Sequence, residues 1–458
     1  MTASGHPDRA ALFYEDPERV RWHDQAIWAV RQNRDRGAAA VPEWESLRQT
    51  AAEIKAHTLS RLPDYLEEFE DRAARLGVVV HWASDANDHN TIVHGLLRDH
   101  GVTRAVKSKS MLSEECGLNA FLEARGIEVI DTDLGERIVQ LRNEPPSHIV
   151  MPAIHLRREE IGELFHREFG SEEGLSDPDA LVEVARDQLR RQFLEAEAGL
   201  TGVNFAIAET GGLVVVTNEG NADLGTALPR LHIASMGLEK VIPRLGDLGV
   251  FLRLLARSAT GQALSVYTSH FHGPAPGGEL HVVLVDNGRS GLLAREPMRQ
   301  ALSCIRCGAC LNTCPVYRRS GGHSYGTPVA GPIGAVLSPA RDIEAHATLP
   351  KACTLCGSCA DVCPVKIDLP RALTVLRADA VRAERGGTRT RWASWLGSQL
   401  LRRPGWTRLA ARLGRRLLHG VPSAWLERDP RMRGRVLPEV AEKSFRELWR
   451  ERRDEASQ

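Results

Sequence analysis

The sequence predicts an α/β domain followed by a small α-helical, cysteine-rich module, with helical segments before and after. Three observations carry this. Short β-rich runs alternate with helical patterns from residue 76 to about 290. Two copies of one cysteine spacing fall between residues 304 and 364. Apolar residues recur every three or four positions in the first 75 residues. A chain of 458 residues suggests about three domains. The 59 Lys and Arg balance the 59 Asp and Glu, so net charge gives no pull toward nucleic acid. The first 24 residues are charged and mixed, without the apolar run of a secretory signal. No stretch approaches the roughly 20 apolar residues of a membrane span.

Residues 1–75 read as an amphipathic helical arm or cap, interrupted at Pro63. From Gly77 to Trp82 the run reads as a strand, followed by a helix over Asn87 to His100 and a strand over Thr103 to Val106. A helix from Met111 to Arg125, capped at Ser113 or a neighbour, leads to a strand over Ile127 to Ile130. This β-α-β-α-β order argues for a parallel, layered sheet over residues 76–290. Asn204 to Glu209 and Gly212 to Thr217 flank Thr210-Gly211 and read as two strands joined by a tight turn. Glu279 to Asp286 reads as a further strand, entering a turn at Asn287-Gly288.

Eight of the nine cysteines form two runs. The first is Cys304-x2-Cys307-x2-Cys310-x3-Cys314-Pro315, and the second is Cys353-x2-Cys356-x2-Cys359-x3-Cys363-Pro364. This is the bacterial ferredoxin spacing for paired [4Fe–4S] clusters, in which three close cysteines hold one cubane and the fourth reaches to the other. The expected ligands are Cys304, Cys307, Cys310 and Cys363 for cluster I, and Cys353, Cys356, Cys359 and Cys314 for cluster II. Structural zinc uses separated pairs, and a disulfide framework would scatter its cysteines; both fit poorly, and a reducing cytoplasm fits well. The module is bounded at 291–375. Between the runs lie 38 residues containing Gly321-Gly322, Gly326, Gly331 and Gly334. They serve either as close-approach positions offering N–H groups to cluster sulfurs or as a plain surface loop.

Residues 376–458 form a separate C-terminal region. Between Gly387 and Gly420 there is no acidic residue. Arg389, Arg391, Arg402, Arg403, Arg408, Arg412, Arg415 and Arg416 interleave with Trp392, Trp395, Leu400, Leu401, Trp406, Leu409, Leu413 and Leu417. Three uses compete for this basic amphipathic stretch: docking on protein, peripheral contact of 389–419 with the inner face of a membrane, and nucleic-acid binding, which no other feature supports.

Several segments, taken in order, resemble the bacterial lactate utilisation protein B family. They are Lys107-Ser108-Lys109-Ser110-Met111, Asp131-Thr132-Asp133-Leu134-Gly135-Glu136, and Glu144-Pro145-Pro146-Ser147-His148 with Pro152-Ala153-Ile154-His155. Further on come Ala208-Glu209-Thr210-Gly211, Asn218-Glu219-Gly220-Asn221, Glu239-Lys240-Val241-Ile242-Pro243 and Asp286-Asn287-Gly288-Arg289-Ser290. The two cysteine runs, with Gly331 to Leu337 between them, complete the series. The resemblance implies a lactate-utilisation α/β domain of sugar-isomerase/CoA-transferase-like fold and an α-helical module holding two [4Fe–4S] clusters. It also implies the iron–sulfur subunit of a complex that oxidises L-lactate to pyruvate. The implied partners are a cysteine-rich subunit and a small protein with a related domain. Two positions depart from the family: Cys116, where an aliphatic residue is expected, and Thr327 to Ala330, which lacks an aromatic.

Lactate oxidation releases two electrons, whereas each cubane carries one, so another group must accept the pair. Neither a dinucleotide fingerprint nor a phosphate-binding loop is present, so no flavin or NAD site is evident in this chain. The expectation is an electron carrier rather than a whole active site. The alternatives are the same role for a glycolate-type 2-hydroxy acid, or a non-catalytic redox scaffold or sensor. In the α/β domain Glu209, Thr210, Gly211, Asn218, Glu219 and Gly220 are the pocket candidates, with Lys107 and Lys109 for a carboxylate; ordinary turn chemistry and solvated lysines are the bland counterpart. His155, His232, His270 and His272 read as structural histidines, and Cys116 as either a small buried hydrophobe or an extra redox thiol.

Overall fold

The computed structural model describes residues 5–383, 388–420 and 441–455, without the side chains of 388–391 and 416–420. It divides into two compact units, Met1–Glu384 and Arg385–Gln458. The boundary expected at 375/376 falls inside the helix Leu369–Ala383, whose buried stripe of Leu369, Ala372, Leu373, Leu376 and Ala380 belongs to the first unit.

The first unit opens with four helices, His6–Tyr14, Pro17–Ala39, Trp44–Ser60 and Leu62–Arg75. Pro63 starts the last of these rather than interrupting one: it sits in the first turn, where its missing N–H costs no intrahelical bond. These helices are not a detached arm. Arg34 donates to the carbonyl of Val362 (3.0 Å) and Arg48 to that of Cys363 (3.0 Å), so the second cysteine run is laced to them. Ile27, Leu59 and Phe69 share one apolar core with Phe205, Leu311 and Leu373.

Ten strands follow. A six-stranded sheet takes β1 (Val79–Ala83), β2 (Arg104–Lys107), β3 (Glu128–Asp131), β4 (Ala198–Gly202), β7 (Leu231–Gly237) and β10 (Glu279–Val285) in the order β1-β10-β7-β4-β2-β3, every pair parallel. Buried runs such as Leu231–Gly237 fit a parallel sheet covered on both faces. A smaller sheet of order β8-β5-β6-β9 holds β5 (Phe205–Ile207), β6 (Gly212–Thr217), β8 (Val241–Ile242) and β9 (Tyr267–Phe271). Its β5–β6 pair is the expected antiparallel hairpin. The helix expected over Met111 to Arg125 breaks in two at Gly117, which is left-handed (φ 65°), and its cap is Ser110, whose hydroxyl accepts from the Ser113 N–H.

The glycine-rich stretch between the cysteine runs is neither a plain surface loop nor the source of the N–H groups on sulfur described below. Gly331–Arg341 is a helix whose residues 331–337 are all buried. A side chain at Gly334 would collide with the Val329 carbonyl, and one at Gly322 with the Ser147 carbonyl, so these glycines permit backbone contact.

The second unit contains helices Thr388–Arg402, Pro404–Gly420 and Phe445–Glu455. Trp392, Trp395, Trp406, Leu409 and Leu413 are exposed there. Arg389, Arg391, Arg416 and Leu417 lie outside the described side chains. No helix among the described residues is long and apolar enough to cross a membrane.

Candidate functional site

The parallel sheet brings its strand C-termini to one edge, the usual ligand-binding edge of such sheets. A cavity of about 480 Å³ opens there. Lys109 and Ser110 follow β2, Asp133 follows β3, Val203 and Asn204 follow β4, Lys240 follows β7 and Arg289 follows β10; all line it. Arg306 and Cys307, from the first cysteine run, form part of its wall.

The expected pocket residues are divided. Asn218 and Glu219 line the cavity. Glu219 is exposed at the cavity rim, yet desolvation by the surrounding wall, with Asp133 adding repulsion, lifts its carboxyl to about 7, while one oxygen accepts from the Leu134 N–H (3.1 Å). Glu209, Thr210 and Gly211 stand at the β5–β6 turn instead. There Glu209 accepts from the Leu245 N–H (2.9 Å) at the start of a helix, and Gly211 packs on Arg72 and Ala73. Lys107 does not line the cavity and is wholly buried against Glu114 (2.7 Å) and Asp131 (2.9 Å). Lys109 reaches the cavity, but its ammonium is held by Asp133 (2.7 Å) and the Val150 carbonyl (3.0 Å).

The sequence reading missed the groups between cavity and cysteines. Glu115 accepts from Arg289 (3.1 Å), Arg306 (3.3 Å) and Arg341 (3.0 Å), and Arg289 also binds Glu239 (2.5 Å). Burial alone would raise the Glu239 carboxyl. Arg289, Lys240 and Arg306 overcome it and hold the group at about 2. Lys240 lines the cavity without an ion pair or hydrogen bond among the described residues, close enough to Cys304 to feel its charge. Its only sequence signal was its place in the segment Glu239 to Pro243.

The two cysteine runs fold alike. Arg306 and Leu355 adopt left-handed conformations (φ 59° and 58°), as do Gly308 and Gly357. The Arg306 N–H donates to Cys304 Sγ (3.4 Å) and the Leu355 N–H to Cys353 Sγ (3.2 Å). Tyr317 and Ile367 donate likewise to Cys314 (3.5 Å) and Cys363 (3.4 Å). A non-glycine left-handed residue costs on the order of 1 kcal/mol, and here it turns an N–H onto sulfur. All nine cysteines are free. The eight thiols lie close enough to feel one another: Cys307 feels Cys363, Cys310 feels both Cys359 and Cys363, and Cys314 and Cys359 feel Cys353 and Cys356. Burial pushes the thiols up, to about 11 at Cys314 and Cys363 and about 12 at Cys359. Thiols clustered in this way suit iron, whose charge makes a coordinated thiol a thiolate. Cys307 is buried beside the cavity, whereas Cys356 is exposed.

The remaining expected residues are elsewhere. His232 is buried against the Thr201 hydroxyl (2.7 Å), and His270 stacks near His272. Cys116 is buried, and burial followed by Glu115 pushes its thiol to about 12, so it packs as a protonated small hydrophobe. His155 lies against Glu144.

Comparison with known proteins places these features in a family. The model of the LUD domain matches residues 66–289, and that of the 4Fe-4S dicluster domain matches residues 300–367. The chain therefore carries two [4Fe–4S] clusters. The uncharacterized electron transport protein YkgF of Escherichia coli is 42% identical over 82% of this chain and 79% of its own. Lactate utilization protein B of Geobacillus kaustophilus is 46% identical over 74% and 73%. That of Oceanobacillus iheyensis is 40% identical over 92% and 91%. With identity of 40–46% sustained along most of each relative, this chain belongs to the lactate utilization protein B family.

Proposed function

We propose that this chain is the iron–sulfur subunit of a complex that oxidises L-lactate to pyruvate, and that it carries electrons from its α/β domain to an acceptor outside. One observation carries the reading: the cavity at the sheet edge shares a wall with Cys307, while Cys356 is exposed. Cluster I would be held by Cys304, Cys307, Cys310 and Cys363, and cluster II by Cys353, Cys356, Cys359 and Cys314. Electrons then enter at the first and leave from the second. Each cluster, when bound, passes one electron at a time. The cysteine-rich subunit and the small protein with a related domain, implied by the family, are the proposed partners, and the group that accepts the electron pair belongs to them.

Oxidation of lactate releases two electrons and two protons. In the cavity the Lys240 ammonium offers a carboxylate its counter-charge, and the Arg289–Glu115–Arg306 network fixes the wall. Glu219, titrating near neutrality, accepts the hydroxyl proton, while the Cα hydrogen would leave with its electron pair as hydride to the partner's acceptor, which passes the electrons singly to the clusters and releases the second proton.

With the anoxic complex, L-lactate is expected to give the EPR signal of reduced clusters that dithionite gives. A panel of 2-hydroxy acids ranks the substrates. A complex reduced by dithionite but by no 2-hydroxy acid would remove the oxidase reading. Pyruvate binding to the cluster-loaded chain, followed by calorimetry, should weaken at least about tenfold in Lys240→Met, the worth of one charge-assisted hydrogen bond. Unchanged affinity would place the carboxylate elsewhere. For Glu219, the rate should rise with pH through about 7, where the carboxyl becomes a base. Glu219→Gln should be slower by about 10²-fold and lose that rise; a variant with the same profile would acquit the residue.

A further inference from the structure

Outside the cavity and the cysteine runs, three residues of two segments converge: Glu144 and His155, from the loop between helices Leu134–Leu141 and Arg158–Phe169, and His323, between the cysteine runs. One ligand atom from each lies within 4.8 Å of the others. His155 Nε2 is 3.0 Å from Glu144 Oε2, and the His155 and His323 rings meet edge to face at 4.7 Å. His155 is 5% exposed.

The surrounding hydrogen bonds are compatible with a metal centre. His323 Nε2 contacts the Pro145 carbonyl at 2.8 Å. A carbonyl only accepts, so Nε2 carries the proton and Nδ1 keeps the lone pair. A backbone carbonyl that fixes the tautomer in this way is the usual companion of a metal-bound histidine. The other Glu144 oxygen is held by Arg142 (2.8 Å), which orients the carboxylate and leaves Oε2 facing His155. His155 Nδ1 is buried without a hydrogen-bond partner among the described residues.

We propose that Glu144, His155 and His323 bind a divalent cation of the zinc class, distinct from the cluster iron, with water completing a four-coordinate set. Two imidazoles and one carboxylate are borderline donors that suit Zn²⁺ and not a cubane, which takes thiolates. The position gives the ion a purpose. Residues 149–154 between Glu144 and His155 line the cavity, while Tyr317, just after the first cysteine run, donates to the Ser147 carbonyl (2.8 Å). A cation there pins this cavity wall to the segment between the cysteine runs.

The test uses the full chain, anoxic and loaded with both clusters so that the eight cluster cysteines are occupied and only the buried Cys116 keeps a free thiol, and titrated with Co²⁺. The expected result is one equivalent bound with d–d bands of a four-coordinate nitrogen–oxygen site and no sulfur-to-cobalt charge transfer. One equivalent of Zn²⁺ should displace it. His323→Ala and Glu144→Gln should each lose this band while keeping the cluster absorption and iron content of the parent. His323 is half-exposed, so its variant should fold even if the Glu144 variant does not. No Co²⁺ band in the parent, a band with sulfur charge transfer, or an unchanged band in His323→Ala would each overturn the site.

Discussion

Cys307→Ala should lower the iron content of the anoxically purified chain from about eight to about four per molecule, because a cubane with three protein thiolates is readily lost. The effect on electron flow should be larger than the iron count suggests. Cys307 lies in the cavity wall, so without its cluster the remaining one should be reducible by dithionite but no longer by L-lactate. Cys356→Ala should do the reverse. Cys356 is exposed and far along the proposed path, so its loss should leave the cavity-side cluster reducible by L-lactate while delivery to an external dye stops. Iron and sulfide analysis with EPR under the two reductants reads both results. Lactate-driven reduction surviving in Cys307→Ala would reverse or abolish the proposed direction.

Arg289→Met should destabilise the first unit by about 3–5 kcal/mol, the cost of leaving buried charge unpaired. Arg289 is 3% exposed and holds both Glu115 and Glu239, themselves buried. Its loss leaves the two carboxylates to Arg306, Arg341 and Lys240. The change should appear as a lower urea midpoint for the cluster-loaded chain, and Arg289→Lys should recover only part of it, since an ammonium cannot bridge two carboxylates as a guanidinium does. There is a pH signature. Glu239 falls from an ordinary 4.5 in the unfolded chain to about 2 in the fold, so it contributes stability above about pH 4.5 that is lost as pH falls toward 2. With Arg289 gone, that loss should begin at higher pH. A variant whose acid unfolding matches the parent would show that Arg306 and Lys240 suffice.

Much of the fold was legible because it is local. The β-α-β alternation after residue 76 and the β5–β6 hairpin follow from side-chain periodicity and turn residues over a few positions. The breaks were less so. Gly117 splits a helix that periodicity would carry through, because a left-handed residue leaves the apolar spacing intact. Pro63 reads equally as a helix end or a helix start, and packing of Leu62 and Leu66 decided for the start. At the cavity, Glu209 and Glu219 look alike as acidic residues in turns after strands. Only the sheet order sends one to a helix N-terminus and the other to the strand C-termini.

The two cysteine runs, and with them the clusters, could be read directly from the chain, since ligand spacing within a run is a local property. So could the α/β domain that precedes them. Tertiary structure alone decided that Lys107 is a buried structural ion while Lys240 faces the cavity. It alone brought Glu115, Glu239, Arg289 and Arg306 together from four segments, set the cavity against Cys307, and gathered Glu144, His155 and His323. Such convergence is fixed by the order of parallel strands and the shared core, which join residues far apart in the chain. No local pattern records which of those ends will meet.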